Sequence, residues 1–124
     1  MKDVKYTFYE FPNDNQLAEI YSSADVTLLP SWYECFPLPP LESMACGTPV
    51  VTTRIGMSDY CFNNYNSLVI PPKNPEAIAR ALDKLLSNKQ LQEKFRNNGF
   101  KTANQFTYSK TVDKFEEVFN NILK

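Results

Sequence analysis

Histidine is absent from this 124-residue chain. Without it there is no His-based catalytic triad, no HExxH metalloprotease site and no imidazole-ligated metal. Cysteine is scarce as well: Cys35, Cys46 and Cys61 make an odd set with no C-x-x-C pair. Neither a disulfide framework nor a zinc ribbon suits that usage, and a reducing cytoplasm fits it best. No basic block appears. Thirteen basic and 14 acidic residues are spread along the chain for a net charge of −1, which points away from nucleic acid and from an anionic lipid surface. No apolar run approaches the roughly 20 residues of a membrane span, and no signal peptide opens the chain. Any acid, base or charge role falls to carboxylates, lysine, arginine, tyrosine, cysteine or the backbone.

What is present is a core-forming composition. Apolar residues make up 43% of the chain, enough for one ordinary domain. Strand and helix patterns alternate, which predicts an α/β fold with a mostly parallel sheet. Val4–Tyr9 reads as a strand that starts almost at the N-terminus, as if the chain were truncated on that side. Asn13 and Asp14 can cap a helix over Asn15–Ala24, with Leu17, Ile20, Tyr21 and Ala24 on one stripe. Val26–Leu29, Pro49–Thr52 and Ser67–Ile70 are short apolar runs of the kind that a parallel strand covered on both faces shows. Between them a helix is predicted over Pro40–Cys46, with Gly47 as its C-terminal stop. The last third reads as helices. One starts at Pro75 behind an Asn74 cap, one covers Lys89–Asn97 and ends at Asn98-Gly99, and one runs from Ser109 to Leu123. The last carries a stripe of Val112, Phe115, Val118, Phe119 and Ile122, read as packing.

The chemistry concentrates in Ser31–Thr52. Three prolines in Ser31–Pro40 forbid regular helix or central strand. They place Glu34 on a loop and Glu42 in the first turn of the following helix. The crevice beyond a strand's carboxyl end, beside a helix N-terminus, is where open α/β sheets bind ligands. Free amides there favour a phosphate, and a carboxylate can accept from a sugar or ribose hydroxyl, so that the two are held without a metal. Taken singly, Glu42 reads first as a helix-start acid and Glu34 as a solvated loop acid; the surrounding run reverses that order. Trp32, Tyr33 and Phe36 either stack on a base or sugar or pack the proline-rich loop. Cys46 reads as a small core residue, Cys35 as exposed, and Asp59 as a cleft residue or a turn cap.

The run PSWYECFPLPPLESMACGTPVVTT resembles the signature of glycosyltransferase family 4, of GT-B fold. Pro30, Ser31, Glu34, Phe36, Leu38, Pro39, Leu41, Glu42, Met44 and the stretch Ala45–Val51 match it. Leu17–Pro30 upstream, and Gly56–Tyr60, Asn66–Pro72, Pro75–Leu86 and Phe106–Tyr108 downstream, follow the family order. The resemblance implies a Rossmann-like parallel sheet with flanking helices, the C-terminal part of a GT-B glycosyltransferase truncated at its N-terminal side. Residues 1–124 would form a partial nucleotide-sugar-binding domain, with an α/β core over about 1–105 and a closing helix over 106–124 that crosses back toward the other domain, part of its apolar face being left here without a cover. The implied activity is that of a retaining, hexosyl-type transferase in polysaccharide biosynthesis, moving a sugar from a nucleotide-diphosphate donor to a glycan or lipid-linked acceptor. Carried over by position, Glu34 contacts the donor sugar and is the catalytic candidate, and Glu42 binds the ribose. Cys35, Phe36, Pro37 and Leu38 complete the donor-binding set, and neither metal nor other cofactor is required.

Two positions depart from the pattern, Cys35 and Pro37, where the family usually has glycine. The family's basic pair for the leaving diphosphate has no equivalent before Glu34, where only Lys2 and Lys5 occur. The resemblance therefore implies a chain that lacks its N-terminal acceptor domain and is inactive alone, and that self-associates to cover exposed edges. The whole protein is expected in the cytoplasm, with the inner face of the membrane as a second placement. The competing reading is a non-catalytic nucleotide- or partner-binding module of the same fold. A flavodoxin-like regulator is disfavoured, because no acidic phosphoacceptor cluster follows the first strand.

Overall fold

A computed structural model describes residues 4–124. Its frame is a parallel sheet of three strands, β1 (Thr27–Leu29), β2 (Val50–Thr53) and β3 (Ser67–Ile70), in the order β1-β2-β3. Thr27 pairs with Val50 and Leu29 with Thr52; Val50 pairs with Ser67 and Thr53 with Ile70. All four residues of β2 are buried, because helices cover both of its faces. Val51 joins Leu68 and Ile70 in a cluster with Ala77, Ala81 and Leu85 of α3 (Pro75–Leu86) and Phe95 of α4 (Lys89–Ala103). On the other side Val50 packs with Leu41 and Met44 of α2 (Pro39–Ala45) and with Met57, Tyr60 and Cys61 of the β2–β3 connection. Among the described residues no helix is long and apolar enough to cross a membrane.

Local chemistry sets most boundaries. α1 (Asp14–Ser23) starts with a capping box: the Asn13 side chain accepts from the Gln16 amide, and the Asn13 amide donates to the Gln16 side chain. Asn74 caps α3 through the Ala77 amide, ahead of Pro75, and Asn88 caps α4 through the Leu91 amide. Gly47 follows α2 at φ +79°, the left-handed conformation that ends helices.

Three expectations are corrected. Val4–Tyr9 forms no strand. It does not add to the free edge of β1, and Val4, Tyr6 and Phe8 are exposed. Strand-forming residues make a strand only when they are laid against a ladder partner, and this segment pairs with no strand of the sheet. Helix α4 does not stop at Gly99 but continues to Ala103. A side-chain carbon at Gly99 would lie 3.1 Å from Met44 Cγ, so this glycine lets α4 approach α2 and is no terminator. Finally, α5 (Tyr108–Ile122) leaves its whole apolar stripe unpacked, and not only the part expected to lack a cover. Val112, Phe115, Val118, Phe119 and Ile122 are each more than half exposed, because no described element lies across them.

Two outcomes follow from this core. Gly99→Leu should destabilise the chain by about 1–3 kcal/mol through overpacking, while Gly99→Ala should stay within about 1 kcal/mol of the parent, helix propensity offsetting a small clash; urea unfolding measures both. Burial pushes the Cys61 thiol from its ordinary value near 9 up to about 12. The folded chain then keeps a proton that the unfolded chain releases. Stability from this group is full below pH 9 and declines as pH rises toward 12, by at most about 1.4 kcal/mol per pH unit. Unfolding curves between pH 8 and 10 should show the decline in the parent and a flatter profile in Cys61→Ala.

Candidate functional site

The loop that leaves β1 at Pro30 is held from β2. Thr52 Oγ1 donates to the Leu29 carbonyl at 2.9 Å, and Thr53 Oγ1 donates to the Ser31 carbonyl at 2.8 Å. These hydroxyls continue the strand pairing where the ladder ends. Ser31 then donates from Oγ to Glu34 Oε1 at 2.7 Å, which fixes the half-buried Glu34 carboxylate. Gly56 lies against the same residue at φ +73°. A side-chain carbon there would sit 2.7 Å from the Glu34 carbonyl oxygen, so the close approach requires glycine.

Beyond Glu34 the loop is pinned by aromatic packing. Tyr60 donates its hydroxyl to the carbonyl of the buried Pro37. Phe36 meets the Tyr60 ring edge-on at 5.1 Å, and Phe106 packs 5.7 Å from Tyr60 and 6.1 Å from Phe36. This three-ring cluster ties the loop to the α4–α5 corner. Neither Cys35 nor Pro37 has a positive φ, so this loop adopts its path without the glycines usual in the resembling signature.

Glu42, on the first turn of α2, faces a groove of about 500 Å³. Phe36, Leu38, Leu41 and Ala45 line it on the same side, and Ala103, Asn104, Phe106, Thr107, Tyr108 and Thr111 form the opposite wall. Tyr21 of α1 donates its hydroxyl to Glu42 Oε2 at 3.0 Å. Burial first, and this bond second, push the Tyr21 phenol far above its ordinary value, so it stays a neutral donor. No basic side chain lines the groove. The amide cluster expected at the start of α2 is thinner than the sequence suggested. Pro39 and Pro40 hold its first positions and carry no N–H, and Leu38 makes no side-chain cap bond.

Of the six candidate residues, Phe36, Leu38 and Glu42 come together on the groove. Glu34 does not line it and faces Ser31 and Gly56 instead; Cys35 is exposed, and Pro37 lies beneath the loop. Trp32 and Tyr33 are exposed, with Lys73 Nζ 4.4 Å from the Trp32 ring centre. Asp59 is exposed in the turn after Gly56, and Cys46 is only partly buried; Cys61 is the core cysteine. Tyr21 and Tyr60 were not anticipated as site residues. Their bonds span 21 and 23 positions, and no local pattern signals such contacts. Among the described residues no cluster of three or more His, Cys, Asp or Glu side chains is placed to hold a metal ion.

A family model described as "Glycosyl transferases group 1" matches residues 2–102. The chain belongs to this family. It is 40% identical over 98 residues to an uncharacterized glycosyltransferase of Methanocaldococcus jannaschii, a match covering 78% of this chain and 25% of that protein. The fold superposes on sucrose-phosphate synthase of Thermosynechococcus elongatus with a TM-score of 0.87 at 28% identity, over 94% of this chain and 30% of that one. It also superposes on the C-terminal domain of a group 1 family glycosyl transferase of Francisella tularensis with a TM-score of 0.72 at 28% identity, over 79% and 51%. This group 1 glycosyltransferase chain thus spans about a quarter of the length of the curated relatives it matches. Its parallel sheet with flanking helices is that of the GT-B glycosyltransferases, and it corresponds to part of their C-terminal domain.

In this chain the Glu34 loop and the Gly56 turn are a single packed unit. Gly56→Ala should lower stability by about 1–3 kcal/mol, through a strained left-handed backbone and a clash with the Glu34 carbonyl. Amide resonances of Ser31–Glu34 should move while those of α3 stay; an unshifted loop would contradict the contact.

Proposed function

We propose that the full-length protein transfers a hexose, with retention, from a nucleotide-diphosphate sugar to a glycan or lipid-linked acceptor in polysaccharide synthesis, and that this chain carries part of its donor-binding domain. The observation behind this reading is the open groove with Glu42 on its wall, beside the proline-rich loop of a group 1 family member. Glu42 accepts from ribose hydroxyls. Glu34, steadied by Ser31 and Gly56, accepts from the donor sugar hydroxyls at the mouth of the loop. Phe36 and Leu38 form the apolar floor against which the nucleoside rests. With no basic side chain in the groove, the leaving diphosphate draws its countercharge from elsewhere in the whole protein. This chain by itself binds nucleotide weakly and transfers nothing, and no metal or other cofactor takes part. The whole protein works in the cytoplasm, where nucleotide-sugar donors are its partners.

Titration of the ¹⁵N-labelled chain with UDP and with GDP tests this. Resonance shifts should cluster on Phe36–Met44, and Glu42→Ala should weaken the better nucleotide by about 10-fold or more, the worth of a hydrogen bond to a charged group. Shifts confined to other surfaces, or an affinity unchanged by Glu42→Ala, would remove the donor-site assignment.

A further inference from the structure

Resting on that reading of the groove, we infer that Tyr21 is a positioning residue that aims Glu42 at the ribose and so sets the preference for a ribonucleotide over a 2′-deoxyribonucleotide. The geometry carries the argument. Glu42 is half-buried, and no Lys or Arg of the described residues forms an ion pair with it. Its one side-chain partner among the described residues is the Tyr21 hydroxyl, 3.0 Å from Oε2. A carboxylate with one oxygen held and the other open presents its remaining lone pairs in a fixed direction, here from a groove wall. Without the tether the side chain would rotate among rotamers, and each ribose contact would carry the entropy of ordering it.

Tyr21 is itself over-determined, as a positioning group must be. Its carbonyl, in the last turn of α1, accepts from Thr48 Oγ1 at 2.5 Å and from the Ala24 amide at 3.1 Å. Thr48 is buried just past the C-terminus of α2, so Tyr21 is tied to that helix both at Glu42 itself and beyond its last turn. A neutral hydroxyl also serves this purpose better than a cation. Lysine or arginine at this point would neutralise the carboxylate and compete with the ribose hydroxyls for it, whereas a phenol takes one oxygen and leaves the charge.

The test uses the 124-residue chain with UDP, GDP and their 2′-deoxy analogues, binding read by resonance shifts. The parent chain should favour the ribonucleotide by about 5–10-fold, and Tyr21→Phe should bring that ratio below about 2-fold with cooperative unfolding retained. An unchanged ratio in Tyr21→Phe, or equal weakening of both nucleotides, overturns the inference and leaves Tyr21 a structural tie only. Should Tyr21→Phe fail to fold, the Tyr21 Cζ resonance of the parent decides. It should move with the ribonucleotide and hold still with the deoxy analogue, and a resonance indifferent to both overturns the inference. The two layers separate cleanly. A parent chain that binds neither nucleotide removes the donor-site reading and the inference with it, and one that binds both with no ribose preference removes the inference alone. A parent preference that Glu42→Ala abolishes and Tyr21→Phe preserves removes the inference alone.

Discussion

The burial of β2 on both faces is the constraint on which the rest of the molecule depends. Its four residues leave no exposed face, and their alternation divides the core into an α3–α4 side and an α2 side. The strand also ends in two threonines, and these do what aliphatic residues could not. At the last pair of the ladder to β1, Thr52 donates to the Leu29 carbonyl, and just beyond it Thr53 donates to that of Ser31. Two buried hydroxyls thereby satisfy themselves and steer the loop that follows β1. The position of the Glu34 carboxylate is thus inherited from the middle of the core, through Thr53 and then Ser31.

The site is assembled without cationic partners. Glu34 takes a serine hydroxyl and Glu42 a tyrosine hydroxyl, while the two ion pairs of the described residues lie exposed on α3 and α4, away from the groove. Exposed pairs of this kind contribute little to stability. Neutral donors in a partly buried setting orient an acid without cancelling its charge. The aromatic cluster of Phe36, Tyr60 and Phe106 complements this by joining the loop to the α4–α5 corner, so that one wall of the groove is braced by the other.

Where the sequence pattern misled, the cause was a missing or unforeseen neighbour. Val4–Tyr9 has the composition of a strand and α5 has the stripe of a packed helix, yet both apolar faces stay open. Each pattern states what a segment would do against a partner, not that the partner is there. Gly99 carried the opposite error. In isolation it reads as a helix terminator, and only the approach of Met44 shows that its lack of a side chain is used for packing. The prolines at 39 and 40 were visible from the start, but their cost to the amide cluster became plain only with the first turn of α2 located.

The sequence by itself determined the α/β alternation, the three short parallel strands, the caps at Asn13 and Asn74, and the membership that the Ser31–Thr52 run announces. All of these rest on contacts within a few residues or on a long ordered motif. Tertiary structure alone decided which motif residues share a groove: Phe36, Leu38 and Glu42 do, whereas Glu34, Cys35 and Pro37 do not line it. It alone brought Tyr21 to Glu42 and Tyr60 to Pro37. A hydroxyl that reaches across about 20 positions depends on how helices dock over the sheet, and that packing leaves no periodic trace in the chain.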